Sequence, residues 1–331
     1  MSDKEILESV SEHTGELRAA AWLKNILRNK EYPGFTRTVK ELKGIHRYRK
    51  AVVIAAGPGF KRFGLGDLEL LKKHPEVIRV ACDGALPTLG QARLMPHYVV
   101  SVDAHPVVAN FYRRFFVFAS GLTEGDYPGT YDEKREPITP RFLLSTTIHR
   151  DVVEEVFNRR QSIFWWQSFS KDKAELPAWT GGGSPEKFFQ EGVPVIQTGG
   201  NVGTTSLIIA RFLLGCTRVG LLGLEFAWSD ETPLMSTQYY GELMKILGGD
   251  EGRVKRHFKR VYNKRDGQWY IADPVYYTYL LEFRRIWGLM KPEDRVSIFN
   301  LTKQGILSAD GLKTISVDKF LKTWKPVWVQ R

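Results

Sequence analysis

Three times in its first third the chain runs through a short, apolar, β-branched stretch and breaks on a glycine or an aspartate. Ala51 to Ala56 stops at Gly57-Pro58-Gly59, Val77 to Cys82 at Asp83-Gly84, and Tyr98 to Val102 at Asp103. Apolar runs this short, without polar alternation, are strands buried on both faces, which belong in a parallel sheet. Asp67 to Lys73 and Leu86 to Arg93, lying between them, read as helices. The unit is therefore βαβαβ.

The pattern resumes further on. Val193 to Gln197 reads as a strand, Thr198-Gly-Gly-Asn-Val-Gly203 as a turn, Thr204 to Leu214 as a helix and Arg218 to Leu224 as another strand. Phe142 to Ser145 and Ile163 to Trp166 are candidate strands and Asp151 to Phe157 a candidate helix, while Lys171 to Gly192 reads as a mobile loop. The expected fold is α/β: a Rossmann-like, open, mostly parallel sheet with helices on both faces. Residues 1–48 form a helical lead-in, with apolar periodicity from Ile6 to Leu27. Residues 49–228 form a nucleotide-binding α/β domain with a loop-rich insert at about 115–192. Residues 229–331 form an aromatic and basic C-terminal elaboration closing over the site.

Charge narrows the ligands. The 48 Lys and Arg against 37 Asp and Glu leave a formal charge of +11, which favours polyanions such as nucleotides, sugar phosphates, nucleic acid or an anionic membrane surface. No apolar run reaches bilayer length, since the best, Ser206 to Leu214, contains Arg211. The opening MSDKEILESV places acids where a secretory signal has a basic tip, so a cytoplasmic protein is expected. Cys82 and Cys216, without C-x-x-C spacing, read as reduced, packed thiols.

In an open parallel sheet, ligands bind beyond the carboxyl ends of the strands. Gly57-Pro58-Gly59, Asp83-Gly84, Asp103-Ala104-His105 and Glu225 all fall there. The glycines would let backbone amides approach a phosphate or ribose, but the tripeptide fits neither a Walker loop nor G-x-G-x-x-G and serves equally as a plain turn. Carboxylates at the mouths of adjacent buried strands need cations, donors or a metal. Mg²⁺ bridging Asp83 and Asp103 to nucleotide phosphates is one such partner, and helix capping by Asp83 is the alternative. Gly199, Gly200, Asn201 and Thr204 offer an anion cradle at a helix start or a capped turn. The basic block Arg253, Lys255, Arg256, His257, Lys259, Arg260, Lys264, Arg265 reads as a solvated face or a holder of an anionic substrate. Phe258, Tyr262 and Trp269 beside it permit base stacking, although nucleic acid is not the expected partner.

AAGPGF, VACDGALPTLGQARLMPHYVVSVDAHP and GGNVGTTSLIIARFLLGCTRVGLLGLEF resemble, in order, the 6-hydroxymethylpterin diphosphokinase MptE-like family. IFNLTKQGI is similar to the N-x-T-x-x-G tail of the bacterial branch that contains the flagellin-modifying motility accessory factors. The resemblance covers about residues 40 to 320, and departs from the usual Gly-Pro-Ser-Leu loop at Gly59-Phe60. It implies a transferase of one of two kinds. The first is a Mg²⁺-dependent diphosphokinase moving a pyrophosphoryl group from ATP to an alcohol acceptor. The second is a metal-independent glycosyltransferase using a CMP-sugar, on a fold similar to bacterial sialyltransferases, with a flagellin or glycan acceptor.

The resemblance also implies that Asp83 and Asp103 match acidic positions of thiamin pyrophosphokinase-like sites, where the similar sialyltransferases tend to carry Asn. The diphosphokinase reading leads on that ground. It makes Asp83, Asp103 and His105 catalytic and Asp83 and Asp103 metal ligands. Gly57, Pro58, Gly59, Gly84, Gly199, Gly200, Asn201, Thr204 and Glu225 are then nucleotide-binding. In the glycosyltransferase reading, His105 or His149 does the acid–base work. A catalytically silent nucleotide-binding protein is the third reading.

Overall fold

A computed structural model describes residues 20–121, 129–168 and 190–322. Eight strands form one sheet in which every pairing is parallel. They are β1 (Lys50–Ile54), β2 (Ile78–Cys82), β3 (Tyr98–Ser101), β4 (Arg141–Ser145), β5 (Ser162–Trp166), β6 (Arg218–Leu222), β10 (Ile298–Asn300) and β11 (Lys313–Thr314). Their order across the sheet is β11-β10-β6-β1-β2-β3-β4-β5. The chain steps from β1 outward to β5, returns to place β6 on the other side of β1, and continues outward from there. The topological switch point therefore lies between β1 and β6.

The expected open α/β sheet is present, and the continuous apolar runs explain it. β1 and β2 are buried at all five positions each, because both faces of the sheet are covered. On one face α3 (Leu65–Lys72), α4 (Leu86–Gln91), α5 (Ala109–Ala119) and α6 (Arg150–Phe157) follow their strands, joined by α12 (Val317–Lys322). On the other face lie α7 (Val202–Ile208), continued by a π turn at Ile209–Leu213, and the long α10 (Pro274–Leu289). Each fully buried Val or Ile contributes roughly 1.5–3 kcal/mol, so the central strands alone anchor the core. Cys82 and Cys216 are both buried and free, and burial pushes each thiol up to about 12.

Three local expectations are corrected. Val193 to Gln197 is not a strand. Pro194 has no N–H to donate, and Val195 makes a single isolated bridge, with Gln167. Gly57-Pro58-Gly59 does not remain a loop but starts a short helix, α2 (Pro58–Phe63), with the proline at its first turn, where a missing N–H costs nothing. The chain after residue 229 also adds to the main sheet. With β7 (Trp228–Ser229) just before it, it builds a small antiparallel sheet from β9 (Gln268–Ala272) and β8 (Lys259–Asn263). It carries helices α8 (Tyr240–Ile246), α9 (Glu251–His257) and α11 (Pro292–Arg295) and then contributes β10 and β11. Among the described residues no helix is long and apolar enough to cross a membrane. The expected loop at Lys171 to Gly192 lies almost wholly outside the described residues.

Of the lead-in, residues 20–29 are helical (α1), and the earlier part of the expected Ile6 to Leu27 helix lies outside the described residues. Helix α1 is tied down by polar side chains. Asn25 Nδ2 donates to Thr147 O at 3.0 Å and Ala104 O at 3.4 Å, and Asn29 Nδ2 to Ile148 O at 2.9 Å and Thr146 O at 3.1 Å. Spaced four apart, the two amides share a helix face and satisfy carbonyls in the loops after β3 and β4, which burial would otherwise leave unpaired. Asn29→Ala strands these carbonyls and is expected to cost about 2 kcal/mol. An unchanged urea midpoint would show that α1 is not held by them.

Candidate functional site

Because the strands are parallel, Gly57, Asp83, Asp103 and Glu225 all emerge at one edge. Asp83 follows β2 and is buried to 7% exposure. Its Oδ1 accepts from Gly84 N at 2.7 Å, and its Oδ2 accepts a short hydrogen bond from Ser101 Oγ on β3. Burial pushes its carboxyl up to about 6, the Ser101 bond pulls it down, and the charge of Asp103 pushes it up again. The two aspartates are thus electrostatic neighbours. Asp103 Oδ1 accepts from His105 N at 3.0 Å.

At the switch point stands Glu225, 3% exposed. Its two oxygens accept from Gly59 N and Phe60 N, each at 2.6 Å. The amides expected to meet a phosphate therefore hold this chain's own carboxylate. The glycines serve this close approach: a Cβ on Gly57 would lie 2.5 Å from Gly223 O and 2.7 Å from Glu225 Cδ, and one on Gly59 would run into Gln304 and Glu225. Burial lifts the Glu225 carboxyl to about 7, against the pull of the two amides and Lys61.

The tail resembling N-x-T-x-x-G closes over the same group. Asn300 Oδ1 accepts from Thr302 N at 2.8 Å, and Thr302 Oγ1 donates to Leu221 O at 3.2 Å. Ile306 N donates to Glu225 O at 2.8 Å. Gly305 has φ +86°, and a Cβ there would sit 2.6 Å from Glu225 O. The next residue after Glu225, Phe226, carries φ +56°, a strained conformation for a bulky side chain that surrounding packing must hold. Phe283 and Tyr279 of α10 contact its ring.

Residues 198–204 form a capped turn. Asn201 Oδ1 accepts from Thr204 N at 2.8 Å, and its Nδ2 donates to Thr204 Oγ1 and Gly199 O, each at 2.9 Å. Gly199 and Gly200 both take positive φ, and Tyr279 lies against Gly200. His105 and His149 play one role. Each accepts a backbone N–H two residues on through Nδ1, from Val107 at 3.1 Å and Asp151 at 3.2 Å. That fixes Nε2 as the protonated nitrogen in the neutral ring. The basic block divides between α9 and the β8–β9 hairpin. Its Arg265 folds back onto Thr314 Oγ1 and Lys303 O.

Sequence reasoning passed over Lys61 and Ser101. Desolvation pushes the Lys61 ammonium down from its ordinary value, against the opposing charges of Glu225 and Asp83. Ser101 orients Asp83. An aromatic cluster forms above the Gly200 turn: Trp228 stacks on Tyr276 at 4.1 Å, and the Tyr239 and Tyr279 hydroxyls lie 3.1 Å apart. The lysine beside the glycine loop was visible in the sequence. The serine carried no local signal, whereas the tyrosines belong to the aromatic C-terminal elaboration expected over the site.

Residues 20–231 match the family described as 6-hydroxymethylpterin diphosphokinase MptE-like. No curated protein matches the chain. Among solved structures it is similar to the MAf glycosyltransferase from Magnetospirillum magneticum AMB-1, with 13% identity and a TM-score of 0.49. The similarity covers 88% of this chain and 39% of that one, so the chain spans about two fifths of that protein's length.

Glu225 gives the site a testable pH signature. Its ordinary value of 4.5 is raised to about 7, so between these values the folded state holds a proton that the unfolded state has lost. Its contribution is complete below 4.5 and is lost as pH rises through 7, by on the order of 3 kcal/mol. Glu225→Gln removes this titration. Urea unfolding from pH 4.5 to 8 should show a shallower decline in the variant than in the wild type, and parallel declines would contradict the reading.

Proposed function

The chain belongs to the MptE-like family, and from that premise we propose that it is a transferase moving a pyrophosphoryl group from a nucleoside triphosphate to an alcohol acceptor. The observation that carries the reading is the pairing of Asp83 with Asp103. Burial and the neighbouring charge penalise the ionised Asp83, and a divalent ion between the two would remove that penalty. Among the described residues no group of three or more His, Cys, Asp or Glu side chains is placed to hold a metal. The pair nevertheless fits Mg²⁺, which takes one or two carboxylates and completes its shell with water and phosphate oxygens. When bound, such an ion would offset the charge that phosphoryl transfer places on the bridging oxygens.

The chain's own groups supply the rest. Ser101 and the Gly84 amide hold Asp83 in one orientation. The Lys61 ammonium, whose charge reaches Asp83 and Glu225, would meet phosphate charge, and His105, whose backbone N–H donates to Asp103, would supply acid–base work. The Gly57 loop is not the phosphate cradle in this arrangement, because Glu225 occupies its amides. The phosphates belong instead near Asp83, Asp103 and the Asn201 turn.

Two observations favour the other readings. The shared Nδ1 capping of His105 and His149 leaves two oriented imidazoles at the active edge, which suits metal-independent transfer from a CMP-sugar. The Glu225 carboxylate in the glycine loop suits a catalytically silent binder.

Magnesium and pH separate these. Calorimetry should find ATP binding that needs Mg²⁺, weakens at least tenfold in Asp103→Asn, and falls as pH drops below about 6, where Asp83 takes up its proton and no longer attracts the metal. CMP-sugar turnover that survives EDTA and Asp103→Asn would replace this reading with glycosyl transfer. Binding without turnover of either donor would support the silent protein.

A further inference from the structure

The opposite, amino edge of the sheet carries a second concentration of charge. Arg79, the second residue of β2, is fully buried. Its Nη1 donates to Gly129 O at a long 3.4 Å, whereas Nε and Nη2 find no hydrogen-bond partner among the described residues. Those two nitrogens form one edge of the guanidinium, the parallel donor pair that grips a carboxylate or phosphate in bidentate fashion. Thr130, next to Gly129 and also buried, has an Oγ without a partner among the described residues.

Among the described residues the surroundings are short of negative charge. His97 accepts Arg79 N on Nδ1 at 3.1 Å, and burial followed by the charges of Arg79, His46, Arg49 and Arg141 pushes it far down from its ordinary value. Arg49 is matched by Glu133, with two contacts of 3.0 Å. Arg141 and His46 both meet Tyr98 Oη, at 3.0 and 2.8 Å. Glu76, the acid whose charge reaches Arg79, is bonded to His74 at 2.9 Å. Burial lowers Arg79 only to about 9, so it is charged at neutral pH.

We propose that the Nε/Nη2 edge of Arg79, with the Thr130 hydroxyl, binds a small oxyanion of the phosphate or carboxylate class at the amino edge of the sheet. A water satisfies donors but brings no charge, and a buried guanidinium needs both. Arg79 stands near the start of β2 and Asp83 just past its end. An anion seated on Arg79 therefore stabilises the strand that presents Asp83, and ligand bound to the folded chain raises its melting temperature.

The test is a titration of the full chain with inorganic phosphate, sulfate and acetate, read by the arginine Nε and histidine ring signals in NMR spectra. One Arg Nε resonance and the His97 ring should shift saturably, equally in wild type and in Asp103→Asn, which separates this site from the carboxyl edge. Arg79→Lys keeps the charge but not the fork, and should weaken the effect at least tenfold. Acetate acting as well as phosphate assigns the carboxylate class, and phosphate and sulfate acting alone assign the tetrahedral anions. The proposal is overturned if none of the three shifts the resonances, or if Arg79→Lys responds like wild type. It also falls if Glu124→Gln or Asp126→Asn moves the Nε signal while no added anion does, because the chain's own carboxylate then fills the fork.

Discussion

The carboxylate of Glu225, held by the amides of Gly59 and Phe60, joins the loop after β6 to the loop after β1 at the point where the sheet reverses its winding. Much of the neighbourhood follows from that tie. Gly57 and Gly59 lack side chains because Glu225 and its loop occupy the space, and Gly305 lacks one because it lies across the Glu225 backbone. Phe226 adopts a left-handed conformation as the chain turns away. The hairpin after β8 reaches down to the same place, with Asn263 Nδ2 donating to Gly305 O at 2.7 Å. A buried carboxylate with two charge-assisted hydrogen bonds is costly to desolvate and costly to disconnect, so it fixes the loops around it.

That arrangement moves the centre of the candidate site. A glycine loop at a switch point is where an α/β sheet ordinarily receives phosphate, and here its amides are already taken by Glu225. The next carboxylates along the edge, Asp83 and Asp103, lie one and two strands away, and the charge of Lys61 reaches both Asp83 and Glu225. Glu225 and Asp83, both raised by burial, flank one exposed ammonium, and the edge therefore combines both signs of charge within a few residues.

The sheet's strands were legible because burial on both faces leaves no room for polar residues, and the apolar runs of β1, β2, β3 and β6 say so directly. The places where the reading failed have physical causes. Val193 to Gln197 is apolar enough for a strand, but Pro194 removes the donor a ladder needs. The three residues of β10 and two of β11 are too short to show any period. Helix α5, rich in aromatic residues, was hidden because it mixes arginines among its phenylalanines, although its apolar face packs fully.

The sequence by itself determined which residues end the strands, and hence that Gly57, Asp83, Asp103 and Glu225 share one edge, since parallel strands with apolar interiors admit no other arrangement. Tertiary structure alone decided what each of them touches. Glu225 is 165 residues from Phe60, Asn25 is 122 from Thr147, and Asn263 is 42 from Gly305. No local pattern predicts that a carboxylate will fill a glycine loop so distant in the chain. The choice between amide-for-ligand and amide-for-Glu225 rests on the winding order that sets β6 beside β1, and that order is a property of the packed sheet.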